Sequence, residues 1–283
     1  MNMELYDLTN PQKSIWLTEQ YYKGSSINNV CGTVLIDDIV NFDILSKAIN
    51  VFLRDNDSFR IHLLIDNDGN VKQKIVEYSE QDFVVTNIED NDDLLLFESK
   101  LARTPFDIIE HDLFKMSPYR LPTGKGGFVV TAHHIIADAC TASLVASKIM
   151  SIYSSLLKDE YVLSTPTSYI NYINSEKEYL NSPKFEKDKE YWEEQFKSVP
   201  EFGIIPSLKD SSVESCSAER KVFEINNLLL NEINTFCKDN RISLFNFFMA
   251  IYALYIGRVS NLNDFVLGTP ILNRTTFSEK ITP

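Results

Sequence analysis

The chain has 283 residues, 44% of them hydrophobic, which suffices for one large domain or two lobes with cores of their own. Its formal net charge is −13, with 40 acidic against 27 basic residues. Such a surface repels phosphate backbones and anionic lipid, so neither nucleic acid nor membrane is an expected partner. Cys31, Cys140, Cys216 and Cys237 show no metal-ligand spacing, and the N-terminus lacks a signal peptide's basic and apolar regions, so a cytosolic protein with reduced thiols is expected.

The first predicted element is a helix within Leu8–Leu17, capped by Asn10, with Pro11 in its first turn and Ile15 and Trp16 facing inward. Val30–Ile36 reads as a strand, and Phe42–Leu53 as a helix after Asn41. Arg60 reads as a surface charge on a strand. Asp66–Asn70 is a hairpin turn between Leu63–Ile65 and Lys72–Val76, with Asp68-Gly69 supplying the positive φ. Asp90–Asp93 caps a helix at Leu94–Leu101 and complements its dipole. Leu113–Leu121 should pair with Gly127–His134 across the turn Pro122–Gly126, which lacks the spacing and ending of a phosphate loop. A helix over Ala139–Leu157 follows.

Charged helices are expected between Pro166 and Phe196, with Phe185, Trp192 and Phe196 inward. Pro200–Ser217 reads as a loop and Arg220–Ile225 as a strand by alternation. Leu228–Cys237 and Leu244–Ile256 read as helices. The second is capped by Ser243, too short for a bilayer, and is read as a core helix. Phe265–Leu267 reads as a strand that ends in a Gly-Thr-Pro turn before Arg274.

Chemistry concentrates where the strand Gly127–His134 meets the helix that starts at Ala139, because His133, His134 and Asp138 lie between them. Such junctions are where α/β folds place sites. Adjacent strand residues point to opposite faces, so His133 and His134 cannot both reach one reacting atom or one metal ion. One should face a cleft and the other the packed side. Asp138 either anchors the turn or only caps the helix.

The segment Ala132–Ala139 resembles the His-His-x-x-x-Asp-Gly motif of condensation domains of nonribosomal peptide synthetases, in the chloramphenicol acetyltransferase-like superfamily. The resemblance makes His134 catalytic and His133 and Asp138 supporting, with Ala139 replacing the family's glycine. Alanine fits there only if the position needs no positive φ. Further landmarks run in order. Gln12 and Trp16 match the opening motif, Phe59 and Arg60 match a second motif, Pro105-Phe106-Asp107 a third, and Tyr169–Tyr172 a fourth. Asn56-Asp57 and Asn171 depart from the pattern. Gly268–Arg274 is similar to a family segment whose arginine pairs with the motif aspartate, which makes Arg274 the expected partner of Asp138.

The resemblance implies a two-lobe α/β fold of the chloramphenicol acetyltransferase type, a mixed sheet with flanking helices. The N-terminal lobe would span 1–163, the lobe-linking helices 164–198 and part of the C-terminal lobe 199–283. The family's later Gly-x-Phe-Val-Asn segment is absent, so the second lobe is expected to be incomplete, a fragment of a larger synthetase. The implied reaction is amide-bond formation between a donor acyl thioester and a carrier-bound aminoacyl amine. The implied partners are carrier proteins bearing phosphopantetheine and neighbouring synthetase domains. The chain itself is expected to be monomeric, with no metal and no directly bound cofactor. The short segment before the first motif suggests a starter subtype that takes an acyl-CoA donor and N-acylates the first residue of a lipopeptide. Two other readings stay open: a catalytically silent recruitment module, and a stand-alone CoA-dependent acyltransferase.

Overall fold

The computed structural model describes residues 4–160, 166–198 and 221–271, together with Lys280, Thr282 and Pro283. The elements, in order, are β1 (Tyr6–Asp7), α1 (Asn10–Tyr21), β2 (Asn29–Ile36), α2 (Phe42–Asp55), β3 (Ile61–Ile65), β4 (Val71–Ile75), β5 (Thr86–Asn87) and α3 (Asn91–Ala102). They continue with β6 (Phe114–Arg120), β7 (Gly126–His133), α4 (Ala139–Leu157), α5 (Tyr169–Leu180), α6 (Pro183–Gln195), α7 (Asn227–Asp239) and α8 (Leu244–Ser260). A short 3₁₀ turn, Asp57–Arg60, precedes β3. The elements form two compact units, one reaching Ser182 and rejoined by the C-terminal residues, the other running from Pro183 to Ile271.

In the first unit, β7 is one of the two inner strands of a sheet ordered β2-β7-β6-β5. It is antiparallel to both neighbours, while β5 and β6 are parallel, so the sheet is mixed. All eight residues of β7 are buried. Phe128, Val130 and Ala132 share a core with Leu45, Ile49 and Phe52 of α2 and Val145, Ile149 and Ile152 of α4. Val129 turns the other way and joins Tyr119, Ile88 and Leu101 of α3. This alternation is the period-two signature of a strand covered on both faces. Each such large side chain contributes about 1.5–3 kcal/mol on burial. A second sheet, β1-β4-β3, is closed by the Asp66–Asn70 hairpin, with Gly69 at φ +84°.

Helix caps follow the side-chain chemistry closely. Asn41, Asp90 and Ser243 accept from the amides of Ile44, Asp93 and Asn246. At α1 the cap is Thr9 rather than Asn10. Thr9 has extended backbone, and its N–H and hydroxyl both donate to Gln12 Oε1, at 2.9 and 3.1 Å. Asn10 is already helical, and its amide is engaged by Glu176. Helix α4 has the length and apolarity of a bilayer span, but Val145, Ile149, Ile152 and Tyr153 bury one face of it in the core.

The second unit departs from several expectations. Lys221–Asn226 and Phe265–Ile271 form no strand, because no described strand lies beside them to complete a ladder. Alternation alone cannot hold a strand without a pairing partner. Trp192 of α6 and Phe196 just beyond it are exposed and stack on each other, with ring centroids 5.6 Å apart, instead of facing a core. Helix α8 is not a core helix among the described residues. Ile256 is buried, but Phe245, Leu254 and Tyr255 are more than half exposed. The expected loop Pro200–Ser217 lies outside the described residues.

Candidate active site

The end of β7 is held from three sides. The His133 amide donates to Leu113 O at 2.8 Å, and the His134 amide to Asn28 O at 2.7 Å. Ile136 N–H then donates back to His133 O at 3.0 Å, which turns the chain out of the sheet. Ile135, Ile136 and Ala137 are buried at 3, 8 and 7% exposure, so His134 is the one exposed residue between His133 and Asp138.

The two histidines occupy opposite environments, as strand geometry requires. His133 is 2% exposed. Its Nδ1 accepts the Ile135 amide at 3.2 Å, so the ring proton sits on Nε2, which donates to Glu19 Oε2 at 3.2 Å. Burial pushes the His133 pKa below its usual value, against the opposing pull of the Glu19 carboxylate. His133 is therefore a buried imidazole with both ring nitrogens hydrogen-bonded. His134 is exposed and makes no side-chain hydrogen bond among the described residues.

Asp138 is the N-cap of α4. Its Oδ1 accepts the Thr141 amide at 2.8 Å and the Thr141 hydroxyl at 2.9 Å. Ala139 is the first residue of the helix and does not have a positive φ, so glycine's freedom is not needed there. Arg60 does not join this group. It ends the 3₁₀ turn, not a strand, and donates to Val76 O at 2.7 Å, with a longer contact to Arg54 O. Its Nε is buried and finds no acceptor among the described residues. Arg274 lies outside the described residues.

Three residues around this turn, Glu19, Asn28 and Gln73, escape a motif search, and they act with Gln12, which the opening motif marks. Glu19, 5% exposed, holds His133 and accepts from Asn28 Nδ2 at 2.8 Å. Gln12 exchanges paired amide bonds with Gln73 at 2.9 Å each and donates to Ile135 O at 3.3 Å. The signal for Glu19 was its spacing, since Gln12, Ile15, Trp16 and Glu19 share one helical face. Beside the core, the departure at Asn56 is explained. Its Oδ1 accepts from Lys148 Nζ at 2.6 Å and Thr167 Oγ1 at 3.0 Å, and burial lowers the Lys148 pKa to about 8. Among the described residues no group of histidine, cysteine and carboxylate side chains could hold a metal ion.

A family model described as Condensation domain matches residues 2–282. The chain is 35% identical over 289 residues to surfactin synthase subunit 1 of Bacillus subtilis (strain 168), an alignment covering 99% of this chain and 8% of that protein. The first condensation domain of the calcium-dependent antibiotic synthetase, solved with a substrate analogue, matches at TM-score 0.84 and 17% identity, covering 99% of this chain and 67% of that one. A mutant starter condensation domain of rhizomide synthetase, in complex with C8-CoA and Leu-SNAC, matches at TM-score 0.80 and 18% identity, covering 98% of this chain and 63% of that one. The chain thus spans 8% of the curated relative and about two thirds of the solved domains. These likenesses agree with the mixed sheet, its flanking helices and the ordered landmarks, and the chain belongs to the condensation domain family.

Proposed function

We propose that this domain joins an acyl donor to the amine of an aminoacyl acceptor held as a thioester on a carrier protein, with His134 at the reacting centre. The observation that carries the reading is the pairing of a buried, locked His133 with an exposed, unbonded His134 at a turn that is otherwise buried. The acceptor nitrogen attacks the donor thioester carbonyl. The C–N bond forms, the C–S bond breaks, and the thiol leaves. His134 takes the amine proton, which then passes to the departing sulfur. Such general-base help is worth about 10²–10⁴-fold in rate, and holding the amine in line can contribute more. Asp138 fixes the start of α4 and hence the turn behind His134. Arg274 is proposed as its ion-pair partner.

The donor is proposed to be an acyl-CoA, as in a starter domain. Support comes from fold similarity to a starter domain solved with C8-CoA. Phosphopantetheine belongs to the acceptor's carrier and is a substrate group, not a resident cofactor. Carrier proteins and neighbouring synthetase domains are the proposed partners, in the cytosol.

Intact-mass spectrometry of an aminoacyl-loaded carrier tests this, with the intact natural protein and its His134→Ala variant supplied with C8-CoA or an acyl-carrier donor. Acylation of the carrier-bound amino acid, lost in the variant, is expected. Transfer from the acyl carrier but not from the CoA would overturn the starter reading. No transfer from either donor, with carrier binding intact, would favour a recruitment module.

A further inference from the structure

We infer that α1 is a positioning element for His134: from one buried helix face, Glu19 holds the residue before it, and Gln12 holds the residue after it. This rests on the proposed role of His134. Gln12 and Glu19 are two turns apart, at 2 and 5% exposure, and are the buried residues of α1. Glu19 Oε2 receives both the His133 Nε2–H and the Asn28 amide. Asn28 in turn offers its own carbonyl to the His134 amide at 2.7 Å. Gln12 Nε2 reaches Ile135 O at 3.3 Å, while its Oε1 is held by Thr9 and Gln73. His133, His134 and Ile135 are thus each tied to α1, directly or through one residue.

Stability does not account for this face. A buried carboxylate and a buried amide carry a desolvation cost, and apolar residues of similar size often hold a core as well or better. What the polar groups supply is direction. They fix the ring of His133 in one tautomer and fix two backbone positions flanking His134. A ring displaced by about 1 Å from its reacting partner loses on the order of 10²-fold in rate.

The experiment combines kinetics with histidine-labelled NMR of the intact natural protein, the His134 signals being identified by their loss in the His134→Ala variant. Glu19→Gln keeps an oxygen able to accept both donors, whereas Glu19→Ala and Gln12→Ala remove the holds. Both alanine variants should lower kcat by about 10²-fold with KM nearly unchanged, and should shift or broaden the His134 ring signals. Glu19→Gln should restore both. Folded alanine variants with unchanged His134 signals and unchanged kcat would overturn the inference. If either alanine variant fails to fold, the tautomer of His133 in the unchanged protein decides: a proton on Nε2 supports it, and a proton on Nδ1 overturns it. Transfer that survives His134→Ala would sink the proposed reaction instead, and the NMR comparison would still test the positioning.

Discussion

The backbone amide of Asn10 donates to both carboxylate oxygens of Glu176, at 3.1 and 3.0 Å, across 166 residues of sequence. This contact docks α5 on the first turn of α1, and the hydroxyls of Tyr169 and Thr9, 3.2 Å apart, reinforce it. A negative charge at a helix N-terminus is favourable, yet partial burial pushes the Glu176 pKa up, ahead of the lowering effects of the Asn10 amide and Lys13. The folded chain therefore holds this proton more tightly than the unfolded chain does. Stability from this group is present below the ordinary glutamate value of about 4.3 and is lost as pH rises through the raised folded value. Glu176→Gln should remove that loss. Its melting temperature should gain on the unchanged protein between pH 4 and pH 7, and parallel melting curves across that range would refute the assignment.

Asp138 separates capping from charge. Asp138→Ala removes the acceptor for Thr141 and should cost about 0.5–2 kcal/mol in denaturant unfolding. Asp138→Asn keeps a capping oxygen and should cost only a few tenths of a kcal/mol, since asparagine caps about as well. If the asparagine variant keeps its stability but loses acyl transfer, the carboxylate's charge matters to the reaction, as pairing with Arg274 requires. Equal transfer by both proteins would remove the need for that pair.

Phe59 is a core residue, not a site residue. It is 1% exposed and meets Phe52 and Phe114 edge-on, at 5.1 and 5.5 Å. Phe59→Ala should destabilise by about 3–5 kcal/mol through the cavity it leaves. Phe59→Leu, which fills more of the space, should lose distinctly less. Chemical denaturation of the two variants checks the order.

Two glycines on paired strands should answer oppositely to alanine. A Cβ on Gly127 would run into the Val34 carbonyl oxygen and approach Leu35 Cα at 3.3 Å. Gly127→Ala must push β2 from β7 and should cost about 1–3 kcal/mol or more. On Gly32 the added Cβ meets only a Val130 methyl at 4.0 Å, so Gly32→Ala should be close to neutral. A tolerated Gly127→Ala, read by thermal unfolding, would refute the close approach.

Much of the first unit was legible in the residue pattern, because local signals there agree with long-range packing. The Asp68-Gly69 turn, the Asn41 and Asp90 caps, and the strand-to-helix junction at His134 each rest on chemistry within a few residues. The opposite orientation of His133 and His134 follows from strand geometry alone. The strands expected near Arg220–Ile225 and Phe265–Leu267 are not formed in the described residues because a strand needs a neighbour, and sequence alternation does not reveal one. Helix α8 reads as a core helix by composition, yet exposure is decided by what packs on it.

The sequence by itself determined the family, the position of the candidate histidine and the caps at Asn41, Asp90 and Ser243, though not the Thr9 cap of α1, since motif spacing and most capping chemistry are local properties of the chain. Only the tertiary structure decided which groups hold that histidine in place. Glu19 meets His133 across 114 residues, and Gln12 meets Ile135 across 123. Hydrogen bonds between residues so distant in sequence are set by how α1 docks beside β7, and no local periodicity encodes that docking.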